Sequence, residues 1–287
     1  MAVATGANHG MGKETARELA RMGAHVILAC RSIERGEATA DEIAATAESR
    51  TVTAMELDLS SLASVRAFAH VFHSRFPKLD VLVNNAAASL RTRETTVEGF
   101  ERHWATNVLG PHLLTMLLLP ALEASGHGRI VTVSTLAAGG LDLTDPQDER
   151  RRYSGIGAYR ASKQAARMLT WALANRLEGK PVAANELNPG YVLTELTTNV
   201  GGALKLLVLL TSFKAQTALD GADTAIWLAA SLEVEGLTGR FWNKRHETRC
   251  KFRQPAEVER LWTLVTEETA DPRPRPSSPR YMAAPTR

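Results

Sequence analysis

A tyrosine and a lysine four residues apart have a clear capacity for proton transfer. Tyr159 and Lys163 fall in a stretch, 157–177, whose pattern predicts a helix, so both side chains would lie on one helix face. An unperturbed phenol has a pKa of about 10, which makes it a poor base at neutral pH. A neighbouring ammonium favours the phenolate and lowers that pKa. The spacing therefore predicts a general acid–base at Tyr159 that Lys163 tunes.

A serine at the end of a predicted strand supports this interpretation, since a tyrosine and lysine at this spacing also occur by chance. Ser134 follows the apolar run 130–133. In parallel sheets, functional side chains collect at the carboxyl ends of strands. The hydroxyl of Ser134 could hydrogen-bond a substrate carbonyl as charge develops on its oxygen.

A glycine-rich loop lies between the first predicted strand and the first predicted helix. Its glycines are Gly6, Gly10 and Gly12. Glycine permits positive φ and lets the backbone approach a pyrophosphate closely. The helix that follows points its free N–H groups and positive dipole end at that anion. The loop predicts a dinucleotide site; an ordinary tight strand–helix turn is the alternative.

The second predicted strand ends in Arg31, where a dinucleotide site that prefers NAD usually carries an acidic residue for the ribose. A guanidinium can instead bind a 2′-phosphate. The missing acid together with the arginine favours NADP(H); a solvent-facing arginine is the alternative. Asp58 follows the third strand, where it would contact the adenine or cap the next helix.

The elements that must position these residues alternate along the chain. Apolar runs predict strands at 2–5, 25–30, 52–57, 79–83, 129–133, 181–187 and 239–242. Helical patterns at 13–22, 34–49, 60–76, 95–123, 157–177 and 217–230 separate them. Strands separated by helices pair in parallel through right-handed crossovers. The pattern predicts an α/β fold: a single-domain Rossmann-type, doubly wound parallel sheet of about seven strands with helices on both faces.

Composition excludes several classes of protein. The chain has 287 residues, 44% of them apolar and 23% charged, which excludes wholesale disorder. Its net charge is +3, and residues 271–287, with four arginines and one aspartate, carry all of it, so a basic nucleic-acid-binding body is not expected. Two cysteines suit a reducing compartment. No integral membrane segment and no signal peptide are predicted, so we expect a cytoplasmic protein.

Taken together, the motifs resemble the short-chain dehydrogenase/reductase family over residues 1–270. Two further segments carry the resemblance: Asn84-Asn85-Ala86 after the fourth strand, and residues 188–194 after the sixth. The resemblance implies that Tyr159 is the acid–base and that Lys163 binds the nicotinamide ribose. It implies that Ser134 orients the carbonyl and that Asn107 holds a proton-relay water. The implied cofactor-binding set is Gly6, Asn8, His9, Gly10, Met11, Gly12, Arg31, Asp58, Leu59, Asn85, Ala86, Ala87, Tyr159, Lys163, Pro189, Gly190, Val192 and Thr194.

Within the family, the chain resembles the retinol-dehydrogenase-like subgroup, which generally prefers NADP. The marks of that subgroup are residues 26–31, a long insert between Ser134 and Tyr159, and residues 236–242. The sequence departs from the family in three places. The first strand is short, His9 and Met11 replace the commoner serine and isoleucine, and Ala87 replaces a glycine. If the backbone at 87 needs positive φ, alanine would strain it.

The leading hypothesis is an NADP(H)-dependent oxidoreductase that acts on a carbonyl or alcohol carbon. The alternatives are a reductase of carbon–carbon double bonds, similar to protochlorophyllide reductases, and a non-catalytic NADP-binding sensor or scaffold. The insert 135–158 and the segment 195–216 would meet the substrate. Leucines at 204, 206, 207, 209 and 210 favour an apolar ligand, although a buried helix would have the same pattern.

Expectations about domains and partners follow. Residues 1–270 would form the NADP-binding domain, and 271–287, rich in proline and arginine, a flexible tail. The apolar stripe on 97–123 would pack against a second subunit in a homodimer or homotetramer, or simply against the sheet. His70 and His73 share a helix face without an evident third ligand, so no metal site is expected.

Overall fold

Eight strands form one sheet in the residues that this computed structural model describes, which are 1–47, 51–190 and 216–270. The strands are β1 Ala2–Thr5, β2 Val26–Cys30, β3 Val52–Glu56, β4 Val81–Asn84, β5 Gly128–Val133, β6 Val182–Asn188, β7 Phe241–Asn243 and β8 His246–Glu247. Their order is β3-β2-β1-β4-β5-β6-β7-β8. The first seven pair in parallel, and β8 adds an antiparallel edge. The predicted doubly wound α/β fold is confirmed, with one short strand more than expected.

Helices connect the strands and cover both faces of the sheet. They are α1 Gly10–Arg21, α2 Ile33–Thr46, α3 Leu62–Arg75, α4 Arg102–Trp104, the π-helix Ala105–Leu109, α5 Gly110–Ser125, α6 Gly155–Arg176, α7 Ala218–Ala230, a 3₁₀ turn Leu232–Val234 and α8 Pro255–Ala270. Hydroxyl side chains cap five of the N-termini by accepting backbone N–H groups: Ser32, Ser61, Ser154, Thr217 and, at the 3₁₀ turn, Ser231.

The short first strand occupies the centre of the sheet. Ala2–Thr5 pairs with β2 on one side and β4 on the other, and all four residues are buried. Its last residue stands at the carboxyl edge, beside the ends of β2 and β4. The strand is therefore long enough to deliver the glycine loop to the switch point between β1 and β4, where ligands bind in open α/β sheets.

The core divides into two apolar layers, one on each face of the sheet. One layer packs α3, α5, α6 and α8 through residues such as Phe72, Leu114, Leu169 and Leu261. The other packs α1, α2 and α7 through Leu19, Ile43 and Leu228. Because helices cover both faces, the central strands are apolar throughout rather than alternating.

The helix predicted over 95–123 is shorter than expected at its start. It begins only at Arg102, because an isolated bridge between Thr95 and Glu101 folds the preceding residues into a turn. Its apolar stripe is buried against the sheet and against α8, where the ring of Trp262 lies 4.9 Å from that of His112. Burial within the chain thus accounts for much of this stripe, and the homodimer or homotetramer stays a prediction.

One helical stretch, Arg102–Ser125, is long and apolar enough to cross a membrane by length and composition. The most apolar 18 residues of this stretch are 67% buried inside the protein, as in a core helix. Packing against the sheet accounts for that apolar character. Three predictions lie wholly or almost wholly outside the described residues: the tail 271–287, the substrate segment 195–216 except for Gln216, and the cofactor contacts of Val192 and Thr194.

Candidate active site

A cleft of about 630 Å³ runs along the carboxyl edge of the sheet. It brings together nearly all of the described residues that the sequence marked for cofactor or substrate. Its lining includes Gly6, Asn8, His9, Gly10, Met11, Gly12, Arg31, Asp58, Leu59, Asn85, Ala86, Ala87, Ser134, Tyr159, Lys163, Pro189 and Gly190. Asn107 lies behind this cleft, in the wall of a small cavity that Lys163 also lines.

The glycine loop has the backbone geometry that close approach to a phosphate requires. Gly6 and Gly10 have φ of 62° and 56°, in the left-handed region that side chains disfavour. A Cβ on Gly12 would lie 2.4 Å from the amide nitrogen of Asn85 and 2.7 Å from the carbonyl of Gly6. The start of α1, at Gly10, faces the cleft with its free N–H groups. These residues fit the pyrophosphate of a dinucleotide.

Thr5 and Asn85 hold this loop to the end of β4. The Thr5 hydroxyl accepts the backbone N–H groups of Asn85 and Ala86, each at 3.0 Å. The side-chain nitrogen Nδ2 of Asn85 donates to the backbone carbonyl of Thr5 at 2.9 Å. The asparagine-rich segment after β4 is thus a brace for the phosphate loop as well as part of the cleft wall.

The far end of the cleft carries two exposed arginines. Arg31 follows β2, and Arg35 lies in the first turn of α2; both line the cleft together with Ser32. Asp58 does not cap the next helix, whose N-cap is Ser61; its carboxylate instead accepts the backbone N–H and the hydroxyl of Ser60 at 2.9 and 2.7 Å. It also borders the cleft, so an adenine contact stays compatible with this bond.

Ser134, Tyr159 and Lys163 meet in the middle of the cleft. The Oγ of Ser134 is buried and has no hydrogen-bond partner in the part of the chain that the structure describes. Lys163 donates from Nζ to the carbonyl of Val133, adjacent to Ser134, at 2.8 Å. The same ammonium lies 6.0 Å from the centroid of the Tyr159 ring. An unpaired buried hydroxyl is costly, and a substrate oxygen would satisfy it.

Burial dominates the protonation of this cluster. Burial raises the pKa of Tyr159 to about 12, which differs from the lowering expected from the charge of Lys163 alone. Burial also lowers the pKa of Lys163 to about 8, and the charge of Glu186 opposes that shift. A low-dielectric site favours the uncharged form of each group. The phenol is therefore protonated at neutral pH, ready to donate a proton rather than to accept one.

Asn107 connects the cleft wall to α6. Its side chain accepts the N–H of Ala88 at 2.7 Å and donates to the carbonyl of Ala88 at 3.0 Å. It also donates to the hydroxyl of Ser162, next to Lys163, at 2.9 Å. Asn107 lies in the π-helix, a rare conformation that is frequent at functional sites. The water-holding role implied for Asn107 stays a prediction.

The alanine at position 87 causes no backbone strain. Among the described residues, those other than glycine with positive φ are Asp148, Lys244 and Arg245, and Ala87 is not one of them. Gly190, by contrast, has a φ of 84°, and a Cβ there would clash with the side chain of Gln216 at 2.0 Å. The family's glycine at 87 is therefore dispensable in this chain.

Sequence reasoning missed several residues that line the cleft: Ser32, Arg35, Ala88, Ser89, Leu90, Glu94, Arg102 and Thr106. Arg35 could have been found, since it lies four residues after Arg31, in the first turn of the following helix. The others lie in loops, on α4 or in the π-helix, where no local pattern indicates which side faces the cleft.

Comparisons with known proteins agree with this arrangement. The family model described as short chain dehydrogenase matches residues 1–204. Mouse retinol dehydrogenase 12 (Mus musculus) is 40% identical over 269 residues, covering 92% of this chain and 84% of that protein. Mouse polyprenol dehydrogenase is 39% identical over 277 residues, covering 93% and 79%. The RhlG/NADP active-site complex of Pseudomonas aeruginosa superposes with a TM-score of 0.68 at 26% identity, covering 84% and 93%.

A dinucleotide-type cleft with a serine, a tyrosine and a lysine on an open parallel sheet defines an oxidoreductase of the Rossmann class. The chain belongs to the short-chain dehydrogenase family, whose members use a nicotinamide cofactor. The retinol-dehydrogenase-like character predicted from the sequence is confirmed by the similarity to mouse retinol dehydrogenase 12.

Proposed function

We propose that this chain reduces the carbonyl of an apolar aldehyde or ketone to an alcohol, with NADPH as the hydride donor. The observation that carries the proposal is the buried, unpartnered hydroxyl of Ser134 in a cleft shared with a protonated Tyr159. A carbonyl oxygen accepts two hydrogen bonds, and these two side chains each have an O–H to donate.

Each residue has a defined task in this reaction. When bound, NADPH supplies a hydride from its nicotinamide to the carbonyl carbon. Ser134 donates a hydrogen bond to the carbonyl oxygen and stabilises the negative charge that develops there. Tyr159 gives its proton to that oxygen, which yields the alcohol and leaves a phenolate. The ammonium of Lys163 then stabilises the phenolate until it regains a proton from solvent.

The preference for NADPH rests on Arg31 and Arg35. Both guanidiniums border the end of the cleft, and the end of β2, Ala29-Cys30-Arg31-Ser32, carries no carboxylate. Two cations favour a 2′-phosphate, whereas a free ribose hydroxyl would call for a carboxylate. The NADP-bound structural neighbour from Pseudomonas aeruginosa supports the same preference.

An apolar substrate is supported by two observations. Leu136 and Ile156, both within the insert 135–158, are large apolar side chains that are 54% and 60% exposed. Relatives named for retinol and polyprenol act, by those names, on long apolar alcohols. All-trans-retinal and decanal are therefore suitable probes, one conjugated and one saturated. The product formed from retinal also tests the alternative reaction, reduction of a carbon–carbon double bond.

The test measures the oxidation of NADPH and of NADH with each aldehyde, followed by product identification. We expect turnover with NADPH, formation of the alcohol, and loss of turnover in Tyr159→Phe while NADPH still binds. Undiminished turnover in Tyr159→Phe would contradict the mechanism. NADPH binding without turnover of any aldehyde or ketone would support the scaffold alternative. The cytoplasmic location and the homo-oligomeric state stay predictions.

A further inference from the structure

A buried polar triad lies beside the proposed catalytic tyrosine and takes no part in the steps above. It consists of Glu101, His103 and Tyr153, and we name it the Glu-His-Tyr triad. Glu101 and His103 are 2% and 0% exposed. Burying a carboxylate and an imidazole together is costly unless each is hydrogen-bonded. Their bonds show what the cluster holds in place.

Hydrogen bonds fix the tautomer of His103. The backbone N–H of Leu90 donates to Nε2 of His103 at 2.8 Å, so Nε2 is an acceptor. Nδ1 then carries the proton and donates to Glu101 Oε1 at 2.9 Å. The Tyr153 hydroxyl donates to the same oxygen at 2.9 Å. The second oxygen of Glu101 accepts the N–H of Trp104 at 2.8 Å.

The triad joins three segments that surround the reacting groups. Leu90 ends the cleft-lining residues 86–90 that follow β4. Tyr153 belongs to the insert that precedes α6. A Cβ on Gly155, the first residue of α6, would lie 2.0 Å from the carbonyl of Leu90, so that loop and the helix start are in close contact. The ring of His103 also meets the Tyr159 ring edge-on, with centroids 6.5 Å apart.

We propose that the Glu-His-Tyr triad is a positioning device that holds the cleft wall at 86–90 and the start of α6 in register around Tyr159. The proposal rests on the proposed function, because it assigns His103 an effect on turnover. Glu101 orients His103, His103 holds the amide of Leu90, and Leu90 contacts the first turn of the helix that carries Tyr159. Small displacements of such groups reduce catalysis steeply, because hydride and proton must both reach one carbonyl.

The first test substitutes His103. His103→Phe keeps a ring against Tyr159 and removes both nitrogens, whereas His103→Gln retains an acceptor for the Leu90 amide. We expect His103→Phe to lower kcat with all-trans-retinal about 10- to 100-fold while the Kd for NADPH stays within about twofold. His103→Gln should recover part of the lost kcat. His25→Phe is the matched control, since its ring hydrogen-bonds Thr53 at 3.4 Å and packs edge-on against Phe76, on the amino side of the sheet and away from the cleft; its kcat should equal that of the wild type.

The second test measures hydrogen exchange of peptides covering 86–90. The amide of Leu90 should exchange faster in His103→Phe than in the wild type or in His103→Gln. This readout needs no turnover, so an inactive wild-type enzyme would contradict the proposed function without affecting this result. If His103→Phe fails to fold, Tyr153→Phe and His103→Gln serve instead. Tyr153→Phe removes one donor to Glu101 and should lower kcat about 3- to 10-fold, with a small rise in Leu90 exchange.

The triad would be rejected as a positioning device by two outcomes. One is a wild-type kcat together with unchanged Leu90 protection in His103→Phe or, if that variant does not fold, in Tyr153→Phe. The other is an equal loss of kcat in His103→Phe and His103→Gln with loss of NADPH binding, which a general structural defect would produce.

Discussion

At the residue scale, burial sets the protonation of Tyr159 and Lys163 in opposite directions. The phenol is held neutral, with a pKa of about 12, and the ammonium loses its proton at a pKa of about 8. The neutral phenol suits carbonyl reduction, which needs a proton donor. The ammonium is needed afterwards, because the phenolate left by proton transfer is stabilised by a neighbouring cation.

The pH dependence of reduction follows from the pKa of Lys163, which is the lower of the two. Because the pKa of Lys163 is depressed, its cation is present below about pH 8 and is lost as pH rises through that value. We expect kcat for aldehyde reduction to fall across pH 7–9. Lys163→Arg should lower the maximum but move the fall to higher pH, since a guanidinium stays charged. A profile that is flat to pH 10 in the wild type would contradict this assignment.

The cofactor preference is also a residue-scale property. Arg31→Leu should weaken NADPH binding about 10- to 100-fold, the worth of a hydrogen bond to a charged group, and leave NADH binding unchanged. Arg21→Leu, at the end of α1 and outside the cleft, is the matched control and should change neither. Fluorescence titration with both cofactors measures the difference. Equal weakening for NADPH and NADH would mean that Arg31 does not contact the 2′-phosphate.

At the element scale, the phosphate loop depends on the contact between Gly12 and the segment after β4. A Cβ at position 12 would overlap the Asn85 side chain and the Gly6 carbonyl. Gly12→Ala should therefore abolish detectable binding of either cofactor while the sheet stays folded. Gly23→Ala is the control, since nothing lies within 4 Å of a Cβ there, although its φ of 87° will cost some stability. Wild-type NADPH affinity in Gly12→Ala would argue against this loop as the pyrophosphate site.

Much of the element scale was predictable from local pattern. The loop between β1 and α1 and the serine at the end of β5 follow from short motifs and from the apolar runs beside them. The start of the helix at Arg102 could not be predicted in this way, because the bridge between Thr95 and Glu101 is a tertiary contact without a periodic signal. His103 was missed for the same reason: it is buried by Leu90, Glu101 and Tyr153, and two of these three are distant in sequence.

The protonation of Tyr159 shows another limit of sequence reasoning. The spacing to Lys163 predicted proximity, and the two side chains do share the cleft. The direction of the pKa shift depends on how much protein covers the phenol, which only the folded chain determines. Desolvation outweighs the charge of the ammonium here, so the tyrosine is an acid more readily than a base.

At the scale of the whole molecule, α8, the last helix of the described residues, closes the core over α5 and α6. Leu261 and Val265 are fully buried there, and the ring of Trp262 meets that of His112 edge-on. The indole of Trp104 donates to Glu268 at 2.7 Å and links α8 to α4. Helix α8 thus packs behind the elements that carry Asn107 and Tyr159 and supports them.

Removing the anchor of α8 should destabilise the fold without changing the chemistry of the cleft. Leu261→Ala is expected to lower the free energy of unfolding by about 2–5 kcal/mol, the usual effect of truncating a buried leucine. Urea unfolding followed by circular dichroism measures the change. Leu232→Ala, at a side chain 79% exposed, is the control and should lie within about 0.5 kcal/mol of the wild type. An unchanged midpoint for Leu261→Ala would show that α8 does not contribute to the core.

The most direct measurement uses NADPH that carries deuterium at both positions of nicotinamide C4, with all-trans-retinal as the acceptor. Mass spectrometry of the product should show the alcohol with one deuterium on the former carbonyl carbon, and none of this product should form with Tyr159→Phe. An unlabelled product, or deuterium on a chain carbon with the aldehyde intact, would contradict hydride transfer to a carbonyl in this cleft.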